Sequence, residues 1–262
     1  MIAPTAIVFG AFFLVPLARL FFIGASGPTG WSAYAAAVTE ARYWSSLAAT
    51  VILAASVTLV TLIISGIAGV FLARNAFRGR AFLTAMLTLP LAFPGVVIGF
   101  MIIMLGGRQG LIPTITDALV GERIVFAYSI VGLFLGYIYF SIPRTILTVM
   151  AAAEKLDPRV EEAARSLGAS PLRVVADIIV PALRPALLAA GAICFATAMG
   201  AFGTAFTLAT KINVLPMVIY TEFTLQANIA MAAALSFILG MITWAALALA
   251  RTVTGSSVAA AA

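Results

Sequence analysis

The chain has 262 residues, of which 63% are hydrophobic and only 9% are charged, and its mean hydropathy is +1.16. Soluble domains carry about 25% charged residues, so this composition excludes an ordinary soluble domain and indicates a polytopic membrane protein. The formal net charge is +6. Because the arginines cluster in short segments between apolar runs, the charge reflects membrane topology, and we expect no nucleic-acid partner.

The residue types present also limit the chemistry. The sequence contains no histidine and a single cysteine, Cys194, within an apolar segment. These counts exclude a Ser-His-Asp triad, a histidine zinc site and an intrachain disulfide, and they predict that Cys194 packs as a small hydrophobic residue. No phosphate-binding P-loop motif occurs. We therefore expect no catalytic residue, no metal site and no ATP hydrolysis by this chain.

Six apolar segments are long enough to cross a membrane. They predict an all-α, polytopic membrane protein with six transmembrane helices and one transmembrane domain over residues 1–262. The arginine-rich segment 74–80 and the charged segment 151–185 fall on the same side as both termini, which the positive-inside rule assigns to the cytoplasm. The predicted spans cover residues 2–24, 46–73, 81–105, 124–150, 186–209 and 229–250, and the predicted outer loops cover 26–45, 106–123 and 211–228.

The third and fourth spans contain the candidates for a solute pathway. Pro90 and Pro94 interrupt the third span and predict a kinked helix facing protein or a cavity, although tight packing alone would explain the same pattern. The inner half of the fourth span holds Tyr137, Tyr139 and Ser141. Such polar side chains either line a pathway or form hydrogen bonds between helices. The candidate pathway residues are therefore Pro94, Tyr137, Tyr139 and Ser141.

The segment from Leu156 to Pro185 concentrates arginines and carboxylates, so it cannot lie in hydrocarbon. Asp157 and Pro158 predict the start of a short helix and Gly168 its end. The following Ser-Pro pair predicts a second short helix. In the first helix, Glu161 and Arg165 are four residues apart and are expected to form an ion pair, and the helical spacing gives one small apolar face made by Val160, Ala163, Ala164 and Leu167.

This charged segment resembles the cytoplasmic loop of the membrane-spanning permease subunits of ABC importers. In that family Glu-Ala-Ala is followed after three residues by Gly and, nine residues later, by Ile-x-Leu-Pro. Here Glu162-Ala163-Ala164 precedes Gly168, and Ile178-Ile179-Val180-Pro181 follows at the same spacing, with Val180 in place of Leu. The resemblance implies a type I ABC importer permease fold with cytoplasmic coupling helices.

The resemblance also implies partners and roles. The expected partners are a dimer of ATPase subunits that binds ATP and Mg²⁺, a second permease subunit that is a paralogue, an extracytoplasmic solute-binding protein and the lipid of a bacterial inner membrane. The chain itself needs no cofactor. Glu162 is expected to meet a basic group on the ATPase, and the expected coupling site consists of Glu162, Ala163, Ala164, Leu167 and Gly168.

The nature of the solute is less constrained. Several segments resemble permeases for polyamines, ferric iron, thiamine, aminoethylphosphonate, sulfate or molybdate. A polyamine-like solute is favoured, for which Asp117, Glu122 and Glu222 are the available carboxylates, whereas an oxyanion could use Arg19 or Arg108. Two other classes stay open: a membrane scaffold whose charged segment docks a soluble protein, and an ion-coupled carrier, although no Asp or Glu lies within a predicted span.

Overall fold

The computed structural model describes residues 2–28, 30–208 and 213–254. All regular secondary structure in these ranges is helical. Ala209 and Lys211, the predicted end of a span and start of a loop, lie outside the described residues. The helices are α1 (Ile2–Phe9), α2 (Val15–Gly24), α3 (Ser32–Thr39), α4 (Ala41–Arg74), α5 (Arg80–Thr88), α6 (Gly95–Gly106), α7 (Leu111–Val120), α8 (Ile130–Ala153), α9 (Pro158–Ser166), α10 (Pro171–Val174), α11 (Val180–Met199), α12 (Phe202–Leu208), α13 (Leu215–Thr224) and α14 (Ile229–Thr254).

The predicted number of membrane spans is confirmed. The longest helix, α4, has 34 residues and is about 51 Å long, so it extends well beyond the roughly 30 Å hydrocarbon core of a bilayer. Within the described ranges, six helical stretches are long and apolar enough to cross a membrane: Pro4–Gly24, Ala41–Arg74, Gly95–Val120, Ile130–Ala153, Pro171–Met199 and Ile229–Thr252.

The third pass is broken, not merely kinked. α5 ends in the 3-10 turn Leu89–Ala92, and Phe93 is extended, with φ −91° and ψ 128°. Pro94 disfavours helical backbone in the residue before it, and it precedes the first residue of α6. The apolar stretch continues to Val120, but the backbone turns at Gly107 and α7 follows as a separate helix. We therefore assign the pass to α5 and α6, and the predicted loop 106–123 contains α7.

The fifth pass begins earlier than predicted. Ser170 accepts a hydrogen bond from the Arg173 amide, and Pro171 occupies the first turn, as the sequence indicates. The helix then continues through the π-helical turn Val175–Ile179 into α11. This wide turn precedes Pro181, which has no N–H to bond to the preceding turn. The prediction of a separate second short helix is therefore wrong, because nothing in the sequence ends it before α11.

The core of the bundle is built on α4 and α8, which run in the same direction side by side. Ser65 donates a hydrogen bond to the carbonyl of Ile142 at 3.4 Å, and Gly69 lies against Val149 further along both helices. Cys194 is buried in the same core, as predicted. Other fully enclosed members of this core are Val57, Leu133, Tyr137, Met199 and Leu208.

The two ends of the bundle are marked by two buried carboxylates. At one end Glu222 is fully buried, and its oxygens lie 3.2 Å from Arg42 Nη1, 3.1 Å from the Tyr43 hydroxyl and 3.3 Å from Asn228 Nδ2. These partners satisfy a charge that would otherwise be costly to bury. At the other end Arg74, the last residue of α4, contacts α9. We call these the α13 end and the α9 end.

The predicted outer loop 26–45 contains α3, which packs on the first and last passes. The Tyr34 hydroxyl donates a hydrogen bond to the carbonyl of Phe21 at 2.7 Å. Burial raises the pKa of Tyr34, so the phenol stays protonated and remains a donor. α3 thus closes the bundle at the α13 end.

Two glycines on α4 provide a matched test of the packing against α8. A Cβ at Gly69 would lie 2.9 Å from Val149 Cβ and 3.1 Å from the Ile146 carbonyl, whereas a Cβ at Gly66 would meet no atom within 4 Å. We expect Gly69→Ala to lower the free energy of unfolding by about 1–3 kcal/mol through overpacking. Gly66→Ala should be neutral or slightly stabilising, since Ala favours helix by about 1 kcal/mol over Gly. Thermal unfolding in detergent measures both, and equal melting temperatures for the two variants would contradict this packing.

Candidate functional site

α9 is a short helix whose ends are set by local side chains. Asp157 accepts a hydrogen bond from the Arg159 amide at 2.9 Å, and Pro158 opens the helix. Gly168 follows the helix with φ +87°, while a Cβ there would meet no atom within 4 Å. The predicted start and end of the helix are confirmed. Glycine suits position 168 because of the backbone conformation and not because of crowding.

One side of α9 is fastened to α4 through a buried ion pair. Glu161 is buried, and its carboxylate accepts a hydrogen bond from Arg74 Nη2, while Arg74 Nη1 donates to the carbonyl of Leu156 at 3.2 Å. The predicted pair between Glu161 and Arg165 is therefore wrong. Helical spacing predicts only local partners, whereas Arg74 reaches Glu161 from a distant part of the chain. A second bridge joins Arg80 to Glu154 just before α9.

The other sides of α9 are exposed. Among the predicted coupling residues, Glu162, Ala163 and Gly168 are exposed and Leu167 is 90% exposed, whereas Ala164 packs partly against a cluster that includes Val149. The Glu162 carboxylate has no partner in the part of the chain that the structure describes. An exposed leucine beside an unpaired carboxylate on a fixed helix is suited to docking a protein partner. We call Glu162, Ala163 and Leu167 the α9 surface.

A cavity of about 300 Å³ lies where two broken passes meet α8. One wall is the break between α5 and α6, and a second wall is the break between α11 and α12. α8 contributes Phe140 and Arg144. The lining residues are Pro90, Leu91, Phe93, Gly95, Ile98, Phe140, Arg144, Thr197, Gly200, Ala201, Gly203 and Thr204.

Hydroxyl groups hold the two breaks in place. Tyr137 donates a hydrogen bond to the carbonyl of Ala201 at 2.6 Å, and Thr204 donates one to the carbonyl of Gly95 at 2.9 Å. A Cβ on Gly203 would lie 3.0 Å from the Val96 amide, so α6 and α12 approach closely. Backbone that leaves a helix within a membrane needs such partners. The cavity walls are therefore fixed by contacts between passes.

Arg144 is the functional candidate that the sequence analysis missed. It lies within the predicted span 124–150, lines the cavity, and also lines a small crevice beside it. No hydrogen-bond or ion-pair partner of its side chain occurs among the described residues. The available signal was its position between Pro143 and Thr145 in a membrane span, since arginine is rare there and is usually functional.

The predicted pathway residues fall in different places. Ser141 lines the crevice next to Arg144, and its buried hydroxyl has no hydrogen-bond partner among the described atoms. Pro94 is not a lining residue, although Phe93 and Gly95 on either side of it are. Tyr137 is not a lining residue, but its hydroxyl donates a hydrogen bond to the carbonyl of Ala201, which is one. Tyr139 is half-buried and does not line the cavity.

The charged residues weighed for the solute lie away from the cavity. Glu222 is buried and already paired, and Asp117 accepts a hydrogen bond from Arg123 at 2.9 Å. Glu122, Arg19 and Arg108 are exposed and are not lining residues. No group of three or more potential metal ligands occurs among the residues that were described. Arg144 is thus the charged side chain that lines this cavity.

These features describe a helical membrane protein with six passes, a cavity between broken helices and a short helix, α9, that is held at one end by the Arg74–Glu161 pair. Residues 65–255 match the family described as binding-protein-dependent transport system inner membrane component. The chain belongs to this family and is a permease subunit of an ABC importer, a multi-pass inner-membrane transport component and not an enzyme. The scaffold and ion-coupled carrier alternatives are therefore set aside.

Curated relatives include permeases for several solutes. The putative 2-aminoethylphosphonate transport system permease protein PhnU of Salmonella typhi is 29% identical over 259 residues, which cover 91% of this chain and 90% of that protein. The molybdenum transport system permease protein ModB of Escherichia coli (strain K12) is 32% identical over 185 residues, 65% of this chain and 77% of that protein. Sulfate permease 2, chloroplastic, of Chlamydomonas reinhardtii is 32% identical over 167 residues, 64% of this chain and 44% of that protein.

Solved structures share the fold. A chain in the crystal structure of a bacterial alginate ABC transporter, in complex with an alginate pentasaccharide-bound periplasmic protein, superposes with a TM-score of 0.83. It is 16% identical, and the match covers 97% of this chain and 93% of that chain. A second structure of a bacterial ABC transporter that imports alginate gives a TM-score of 0.79 at 16% identity. At this identity the likeness establishes the ABC permease fold.

Two adjacent glutamates on α9 differ in their surroundings, since Glu161 is paired with Arg74 and Glu162 is exposed. Glu161→Gln removes the charge that pairs with the partly buried Arg74, and we expect it to destabilise the anchored α9 by about 1–3 kcal/mol. Hydrogen–deuterium exchange of the α9 amides should become faster. Glu162→Gln, one residue away and exposed, is the matched control and should leave this exchange unchanged. Equal protection in both variants would show that the ion pair does not hold α9.

Proposed function

We propose that this permease subunit imports a small oxyanion or phosphonate, with energy from ATP bound by separate ATPase subunits that dock on α9. The observation that carries the solute class is the cavity, which is lined by Arg144 and by no carboxylate. A positive charge that lines a cavity attracts anions and repels cations. Relatives named for aminoethylphosphonate, molybdenum and sulfate transport support the same class.

A polyamine-like solute, which the sequence favours, fits this arrangement less well. A polycation needs carboxylates along its path, and of the three considered, Glu222 and Asp117 are engaged by arginines. Glu122 is exposed beyond the end of α7 and is not part of the cavity lining. We therefore replace the polyamine preference with an oxyanion or phosphonate.

In this proposal α9 is the coupling helix. The α9 surface presents Glu162 for a basic group and Leu167 for an apolar pocket of the ATPase, which binds ATP and Mg²⁺ itself. The opposite side of α9 is fixed to α4 by the Arg74–Glu161 pair. A force applied to α9 is therefore passed to the membrane helices and is not absorbed by a loose loop.

The proposal also includes the other partners and the orientation. A second, paralogous permease completes the pathway, and an extracytoplasmic binding protein delivers the solute at the α13 end. The α9 end faces the cytoplasm together with both termini, since the basic segment 74–80 lies there as well. Residues 1–262 act as one transmembrane domain.

Docking on the α9 surface can be tested at Glu162. Replacement by Ala removes a charge-assisted contact, and we expect ATPase binding to weaken about 10-fold. Co-purification of the ATPase with the solubilised permease, followed by titration of the ATPase, measures the loss. The matched control is Glu122→Ala, which removes an exposed carboxylate at the opposite end of the bundle. Unchanged ATPase affinity for Glu162→Ala would count against α9 as the docking helix.

The solute class can be tested on the assembled transporter. With its binding protein present in proteoliposomes, ATP hydrolysis should be stimulated by 2-aminoethylphosphonate, molybdate or sulfate, because these solutes carry the charge that Arg144 complements. Spermidine, tested under the same conditions, should give no stimulation. Stimulation by spermidine and by none of the three anions would overturn the proposed solute class.

A further inference from the structure

Arg144 is an exposed arginine on a membrane-spanning helix, and its side chain lines the cavity. It lies about 14 Å before the end of α8 at Ala153, too far inside the helix to count as a terminal residue. Its guanidinium has no partner among the described side chains. Arginines in membrane spans usually face a cavity and bind a ligand or an opposite charge. Here the cavity is present and the opposite charge is not part of the described chain.

A second polar side chain, Ser141, lies one helical turn from Arg144 in a crevice that adjoins the cavity. The small crevice and the main cavity share Phe140, Arg144 and Thr197, so the two spaces adjoin. Ser141 lines the crevice, is only 5% exposed, and has a hydroxyl without a hydrogen-bond partner. A buried hydroxyl group left without a partner carries a penalty of about 1–3 kcal/mol. A bound molecule that accepts a hydrogen bond from the Ser141 hydroxyl would remove that penalty.

The start of α6 adds to the positive potential. Gly95, the first residue of this 12-residue helix, lines the same cavity as Arg144. The first amides of a helix have no partner within the helix, and the helix dipole places partial positive charge there. The break at Pro94 therefore directs a helix N-terminus into the cavity. Arginine, a free hydroxyl and a helix N-terminus are all donors that suit a tetrahedral oxyanion.

We propose that Arg144 and Ser141, together with the N-terminus of α6, form a transient contact site for the oxyanion group of the solute within the translocation pathway. The site rests on the proposed function and deepens it. Arg144 supplies two parallel donors to the oxyanion, Ser141 donates a third hydrogen bond from the adjoining crevice, and α6 contributes the dipole. A cavity of about 300 Å³ accommodates a phosphonate, sulfate or molybdate group.

The test compares Arg144→Gln, Arg144→Lys and a control, Arg184→Gln, in the complete transporter expressed with its partner subunits. Arg184 is also an exposed arginine of a membrane-spanning helix, but it lies outside the cavity lining. The probes are labelled 2-aminoethylphosphonate, molybdate and sulfate. We expect Arg144→Gln to lower the maximal uptake rate about 10-fold to 100-fold through loss of a charge-assisted contact. Arg144→Lys should recover part of this loss, and Arg184→Gln should match the wild type.

Assembly and lipid effects are separated by two further measurements. Co-purification of all subunits with each variant shows whether the complex is intact, so that a low uptake rate is not caused by misfolding. Lipid phosphate has the same chemistry as the solute, so the anion-stimulated ATP hydrolysis is also measured in a phosphate-free maltoside detergent. If the Arg144→Gln defect persists there, the contact is to the solute. A defect that appears only after phospholipid is added assigns Arg144 to a lipid headgroup and overturns the proposal.

The outcomes distinguish this site from the broader proposal. If the wild-type transporter moves one of the three anions and Arg144→Gln moves it equally fast, the contact site is wrong while the solute class stands. If the wild type moves only spermidine, both fail. Ser141→Ala gives an independent check: we expect uptake to fall about 3-fold to 10-fold, as for loss of one hydrogen bond, and no fall at all would remove Ser141 from the site.

Discussion

Backbone that leaves a helix inside a membrane must be held by other parts of the protein, and this constraint places the cavity. Two passes are interrupted, at Pro94 and at Gly200. Tyr137 and Thr204 donate hydrogen bonds to carbonyls at these two places, and α6 and α12 approach closely at Gly203. The interrupted segments therefore pack directly against each other, next to α8. Without these bonds there would be neither a lined cavity nor a helix N-terminus that opens into it.

α4 has the second organising role because ion pairs fix both of its ends. Near its start Arg42 and Tyr43 contact the buried Glu222 of α13, and at its end Arg74 contacts the buried Glu161 of α9. Each carboxylate is buried, whereas Arg42 is half exposed and Arg74 is partly buried, so removing an arginine would leave a buried carboxylate without its opposite charge. A helix that is longer than the hydrocarbon core and fixed at both ends is suited to carrying a displacement from one side of the membrane to the other.

The sequence predicts the elements well and the contacts between them less well. Length, hydropathy and local signals such as Asp157, Pro158 and Gly168 are sufficient for six passes and for the limits of α9. Glu161 shows the limit of such signals: spacing pairs it with Arg165, whereas the structure pairs it with Arg74, far away in the chain. The sequence does not predict that α10 continues into α11. The π-helical turn between them accommodates Pro181, so the helix does not end there. The position of Arg144 within a predicted membrane span is visible in the sequence, whereas the cavity that it lines is visible only in the structure.

α8 connects the two candidate sites physically. The same helix carries Arg144 and Ser141 at the cavity and, about 14 Å further on, ends at Ala153 beside α9. It runs alongside α4 in the same direction, with Gly69 packed against Val149, so the two helices cannot slide independently. A shift of α9 acts on α4 through Glu161 and on α8 through Ala164 and the cluster it packs in. Because the cavity wall on α8 belongs to that packed pair, a displacement of α9 would be transmitted to the part of α8 that carries Arg144.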